Sequence, residues 1–167
     1  MKLTLYLVLS MMFTACGYHL VGQGGGSVIP DTVQTAQLDT LDGLEYQALR
    51  TELQHRWSQQ AHFPALQGET EPSKQHITLR LEQVQISFVA IAFDAAGLAI
   101  QYRLQVAGVL NMYQQHALLW GTGRLSVQAE VFAADNPSAI EAERAQLLLT
   151  LRQTWANEAI KRLKSGF

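Results

Sequence analysis

Residues 98–112 read Leu-Ala-Ile-Gln-Tyr-Arg-Leu-Gln-Val-Ala-Gly-Val-Leu-Asn-Met, with Leu98, Ile100, Tyr102, Leu104, Val106, Leu110 and Met112 all at even positions. An extended chain turns successive side chains to opposite faces, so this run predicts a strand with one apolar side. It is long for a small domain. Ahead of it, Ile77, Leu79 and Leu81 alternate with polar residues, and then Val84, Ile86 and Phe88 alternate in the opposite phase. A β-bulge near Glu82 and Gln83 would bring both sets onto one face. Behind it, Leu119, Leu125, Val127, Ala129 and Val131 keep odd positions. The connectors Asp94-Ala95-Ala96-Gly97 and Gln114-Gln115-His116 are short and polar, which predicts consecutive antiparallel hairpins.

Outward from these strands, the pattern changes to a helical period on both sides. A short extended segment over residues 33–38 precedes Asp42-Gly43-Leu44-Glu45, where Asp42 can cap a helix and Glu45 can reach back. The helix then runs to about Gln59, with Tyr46, Leu49, Leu53 and Trp57, flanked by Leu44 and Ala48, on one stripe. Residues 62–74, with Pro64, Gly68 and Pro72, predict a surface loop. A last helix begins at Asp135-Asn136-Pro137-Ser138, with Pro137 at its first position or Ser138 and Glu141 forming a capping box. Its stripe is Ile140, Leu147, Leu151, Trp155, Ala159 and Leu163, and Lys161, Arg162 and Lys164 at its end complement the helix dipole. Strand, helix, three strands and helix predict an α+β domain, an antiparallel four-stranded sheet with both helices on one face. The opposite face carries Gln101, Arg103, Gln105, Thr122, Arg124, Ser126, Gln128 and Glu130, a surface suited to water.

The 167-residue chain is 48% hydrophobic and 16% charged, a balance that excludes a disordered tail and suits one domain with a sizeable core. Its start is separable. Residues 3–13 are free of charge yet too short for a bilayer-crossing helix of about 20 residues. Lys2, this apolar run and Phe13-Thr14-Ala15 before Cys16 follow the order of a secretory signal. Residues 1–15 therefore read as a lipoprotein signal peptide, 16–29 as a lipid-anchored segment with the tether Gly22-Gln23-Gly24-Gly25-Gly26-Ser27, and 30–167 as the domain. Cys16 is the only cysteine, so no disulfide framework exists; the start resembles a bacterial lipoprotein signal, which implies lipid on the Cys16 sulfur, and the other reading is an ordinary signal peptide that leaves Cys16 a free thiol. Removing residues 1–15, whose one charge is Lys2, takes the formal charge from −2 to −3, and this lack of a positive field argues against nucleic acid as a partner.

Catalytic constellations are hard to find. The histidines His19, His55, His62, His76 and His116 show neither H-x-x-x-H nor H-E-x-x-H spacing, and no G-x-S-x-G elbow occurs. Glu141 and Glu143 lie two apart on a helix and point in different directions. The expectation is a protein without a metal, a cofactor beyond the lipid on Cys16, or an enzymatic activity. One polar cluster stands out. With a two-residue loop at Gln114-Gln115, Arg103 and Arg124 fall diagonally near each other on the outward face, within reach of one anionic group.

The start Cys16-Gly17-Tyr18-His19-Leu20, the Tyr102 strand, Asn136-Pro137 before the last helix, Glu143-Arg144 within it and Arg162-Leu163 near its end together resemble the LPS-assembly lipoprotein family LptE. The resemblance spans the mature chain. It implies a two-helix, four-stranded α+β domain anchored through palmitate and diacylglycerol on Cys16. Gly17 in place of Asp after the cysteine implies the periplasmic side of the outer membrane. It further implies a one-to-one complex with the LptD β-barrel, which the lipoprotein helps to fold and plugs, and contact with lipopolysaccharide on its way to the outer leaflet. Family members can carry basic residues toward lipid A phosphates in the turn that here reads Asp94-Ala95-Ala96-Gly97, which leaves Arg103, Arg124 and Arg144 as the cations to meet phosphate. Another reading is a lipid-binding or scaffold lipoprotein of a different envelope transport system.

Overall fold

A long β-hairpin is the spine of the domain. The computed structural model of the protein describes residues 28–68, 71, 73–132 and 137–166. The signal peptide, Cys16, the glycine tether and the cap position Asn136 lie outside the described residues. The elements are β1 (Thr35–Thr40), α1 (Leu44–Ser58), β2 (Ala65–Leu66), β3 (His76–Phe93), β4 (Ala99–Gln114), β5 (Ala117–Gly121), β6 (Leu125–Phe132) and α2 (Pro137–Ser165). Both helices pack on one face of a single sheet, as the stripes predict.

The sheet is six-stranded and mixed, in place of the expected four antiparallel strands. Its order is β2-β1-β3-β4, and β5 and β6 follow one another along the far edge of β4. β1 runs parallel to β3 and to β2. The cause is α1, which returns the chain to the end of the sheet where β1 began, so the strands after it restart in the same direction. β2 arises within the segment expected to be loop, where Ala65 and Leu66 pair with Thr35 and Ala36.

The β3–β4 hairpin matches its sequence closely. The register shifts between Glu82 and Gln85, and Gln83 has a φ of 52°, so the expected bulge is present and realigns the apolar residues. The turn is held by Asp94, whose Oδ1 accepts the amides of Ala96 and Leu98 at 2.9 and 2.8 Å, while Gly97 takes φ 83°. The next turn has positive φ at both Gln115 and His116, so the loop sits one residue later than Gln114-Gln115. The strand expected to run unbroken through residues 119–131 is interrupted at Thr122. The Leu110 amide bonds the Thr122 hydroxyl at 3.0 Å and the Thr122 amide bonds the Leu110 carbonyl at 2.9 Å. That buries Thr122 and removes it from the outer polar face.

Helix α1 begins after Gly43, with no side-chain cap bond, so Asp42 does not serve as the cap. Leu49, Leu53 and Trp57 are buried as expected, but Leu44 is 91% exposed. Helix α2 opens on Pro137, where the missing N–H costs no helical bond. Leu151, Trp155, Ala156, Ala159, Ile160 and Leu163 are buried against the sheet. Trp155 is fully buried. A Cβ at Gly108 would lie 3.1 Å from its indole ring, and its Nε1 donates to the Leu125 carbonyl at 3.0 Å. One side chain thereby joins α2 to β4 and β6.

Contacts of α2 also fix the polarity of the domain. Arg144 near its start lies 5.0 Å over the Phe88 ring, Arg162 near its end donates to the Thr122 carbonyl at 3.0 Å, and the Val28 amide bonds the Leu163 carbonyl. The described chain thus enters at the end opposite the β3–β4 turn. At about 3.3 Å per residue β3 is roughly 60 Å long, and α2 at 1.5 Å per residue is about 43 Å, so the hairpin outruns the helices. Leu98 and Ile100, expected to face inward, are accordingly exposed, and so is Leu119 on the short β5.

Replacing Trp155 by Ala removes both the packing and the bond, and we expect a loss of about 3–5 kcal/mol in urea unfolding. Trp155→Phe should fall between that variant and the parent, since it keeps a ring but loses a hydrogen bond contributing about 1 kcal/mol.

Candidate functional site

The uncovered face of the sheet collects the polar residues that the alternation sends away from the core. Gln101 donates to the Glu130 carboxylate, Gln105 to the Ser126 hydroxyl, and Asn111 to Glu82 at 3.1 Å. Arg80 bonds Asp39 at 3.2 Å and lies 5.1 Å over the Tyr113 ring. These pairs cross strands at exposed or half-buried positions, where each contributes little to stability and instead keeps the face wet and ordered.

The three arginines expected to meet an anion are apart. Arg103 sits opposite Glu130 with 4.0 Å between their charged groups. Arg124 precedes Leu125, which pairs with Gly108, five positions along β4 from Arg103. At about 3.3 Å per residue their backbones are more than about 16 Å apart, and the two guanidinium groups are held by different partners, Glu130 and Gln85. The later turn and the interruption at Thr122 displace the register and break the expected pair. Arg144 is on α2, bonded to Glu141 at 3.0 Å and stacked on Phe88. Arg124 alone of the three makes no ion pair among the described residues; it bonds the neutral Gln85 amide oxygen at 2.8 Å. Its charge is the least compensated.

A pocket of about 130 Å³ opens at the chain-entry end of this face, lined by His76, Thr78, Arg80, Tyr113, Gln115 and His116. His76 is 3% exposed, and its Nδ1 shares a hydrogen bond of 2.9 Å with the Thr35 hydroxyl. Sequence reasoning passed over it because a lone histidine has no partner in spacing. The usable signal was its even position in a strand whose odd residues form the core. Burial holds its pKa below the ordinary 6.5 because the charged ring is desolvated. Among the described residues no group of three or more His, Cys, Asp or Glu is placed to hold a metal, and no helix is long and apolar enough to cross a membrane.

The unfolded chain therefore takes up a proton at His76 that the folded chain resists. Stability carried by this group is intact above pH 6.5 and is lost as pH falls from 6.5 through the lower folded value. Urea midpoints measured downward from pH 7.5 should fall less steeply for His76→Gln than for the parent. Identical slopes would show that the imidazole is not titrating with folding.

No family model matches the sequence, and no curated protein matches it significantly. Solved structures do. Rare lipoprotein B from Shewanella oneidensis superposes with a TM-score of 0.64 at 13% identity, over 79% of this chain and 95% of that one. An uncharacterized lipoprotein B from Nitrosomonas europaea gives 0.65 at 13% identity, over 90% and 92%. A minor lipoprotein from Acinetobacter baumannii gives 0.63 at 9% identity, over 80% and 92%. The chain therefore has the fold of the bacterial lipoproteins of the rare lipoprotein B kind, and this likeness supports the resemblance to the LptE family read from residues 16–20 and the final helix.

Proposed function

We propose that this protein is a non-catalytic outer-membrane lipoprotein, held on the periplasmic side by lipid on Cys16, that assembles one-to-one with an LptD-like β-barrel. It plugs and stabilises that barrel for lipopolysaccharide transport to the outer leaflet. The observation that carries the reading is the likeness to lipoprotein structures over most of both chains, joined to the Cys-Gly-Tyr-His-Leu start. The polar, hydrogen-bonded sheet face supports it, because the lumen of a large barrel is itself polar and wet. Exposed Gln128 and the pairs around Glu130 and Ser126 are suited to exchange water contacts for luminal ones.

Twelve residue steps separate Cys16 from Val28, a reach of at most about 43 Å. In this reading the membrane lies within that distance of the chain-entry end, and the β3–β4 turn is at the far end. Lipopolysaccharide phosphates would meet the arginines singly. Arg124 has the least compensated charge and is the one expected to matter most.

Affinity purification of a tagged full-length chain from mild-detergent extracts of native membranes should recover one large outer-membrane β-barrel at one-to-one. Recovery alone, or with inner-membrane transport subunits, would replace this reading with that of a scaffold for another envelope system. Labelling with palmitate should disappear in Cys16→Ala. Arg124→Glu should weaken lipopolysaccharide binding roughly tenfold and Arg103→Glu less, because a charge-assisted hydrogen bond is worth about 1.5–3 kcal/mol. Equal, unchanged binding in both variants would dismiss the arginines.

A further inference from the structure

The cavity at the chain-entry end is walled by donors that do not bond one another. Its lining of His76, Thr78, Arg80, Tyr113, Gln115 and His116 includes an arginine and two imidazoles and no carboxylate. Arg80 gives only Nε to Asp39, so its two terminal nitrogens make no hydrogen bond among the described residues, and the side chains of Thr78, Gln115 and His116 make none either. The carboxylates that touch this lining, Asp39 on Arg80 and Glu82 on Tyr113, are not part of the wall. His76 is the buried member. It is 3% exposed, and its Nε2 has no hydrogen-bond partner. A neutral ring that accepts the Thr35 hydroxyl at Nδ1 keeps its proton on Nε2, and a buried donor without an acceptor is uncommon in folded proteins.

The turn at this cavity is an unfavourable one for its residues. Gln115 and His116 both take positive φ, 48° and 69°, where Asn-Gly is the favoured pair. That pair would remove the Gln115 amide and the His116 ring from the wall. The space itself, about 130 Å³, is far beyond the roughly 10–15 Å³ that holds one water, so it admits a group of several heavy atoms. Donors reach it from β3 and from the turn, with a cation among them. A carboxylate offers its two oxygens in one plane, whereas a phosphate offers oxygens in several directions and is the anion that arginine and neighbouring donors hold best. A metal ion fits less well, since Arg80 is a cation and no third His, Cys, Asp or Glu joins the two imidazoles among the described residues.

We propose that this cavity binds a phosphate group, held by His76, Thr78, Arg80 and the Gln115-His116 turn. The site belongs to the fold and does not rest on the barrel assignment. Isothermal titration calorimetry of the detergent-solubilised full chain with inorganic phosphate, against sodium chloride at equal ionic strength, should give a Kd on the order of 1 mM. Arg80→Gln should weaken that binding roughly tenfold or more. Gln115→Asn combined with His116→Gly gives the turn its favoured pair, so this variant should unfold at the same or a higher urea concentration than the parent and still bind phosphate roughly tenfold more weakly. Loss of binding without loss of stability separates the site from the fold. Absence of heat with phosphate up to about 20 mM, unchanged binding in either variant, or acetate bound as well as phosphate would overturn the proposal. Glycerophosphoglycerol, the water-soluble headgroup of an anionic phospholipid, distinguishes the two sources of such a group. Tighter binding than inorganic phosphate assigns the site to a membrane lipid, weaker binding to free phosphate, and both results retain the site.

Discussion

The contact of Trp155 with Gly108 is the constraint on which the domain depends. A bare Cα in the middle of β4 lets the indole settle against the sheet, and the bond from Nε1 to Leu125 draws β6 to the same point. A Cβ at residue 108 would stand 3.1 Å from the indole, so the ring would have to shift to admit it, and a larger side chain would crowd it further. With that point fixed, the rest of α2 has one course. Its start reaches Phe88 and its end reaches Thr122 and Leu163, which places chain entry and hairpin turn at opposite ends.

A helix layer shorter than the sheet it covers has two consequences. Over the middle of the sheet the apolar side chains of β3, β4 and β6 are buried, and the reverse face is left polar. Beyond the helices the same alternation continues with nothing above it. Leu98, Ile100 and Phe93 stay exposed, and β1 leaves before it can cover the edge of β3. The polar face is held by side-chain pairs that cross its strands, and beyond β1 the outer side of β3 has no strand partner among the described residues.

Much of this was legible in the sequence, for identifiable reasons. The alternation in β3 and β4, the bulge at Gln83 and the buried stripe of α2 are recorded in residue spacing because one face must be apolar. Strand direction leaves no such record, and β1 alternates the same way whether it runs parallel or antiparallel. β2, at two residues, is too short to have a period. The candidate site was less legible. Arg103 and Arg124 lie on the expected face, but their separation depends on a turn displaced by one residue and a break held by the Thr122 hydroxyl, and neither is a matter of composition. The pocket at His76 depends on which strands become neighbours, and that is set by the crossover through α1.

The central claim is that the polar sheet face is the one turned to a barrel lumen. The most direct test is a photo-crosslinking residue placed at exposed Gln128 of the full-length chain in living cells. The account requires a covalent adduct with a single large outer-membrane β-barrel. Adducts with inner-membrane transport subunits, or no barrel adduct from this face, would contradict it.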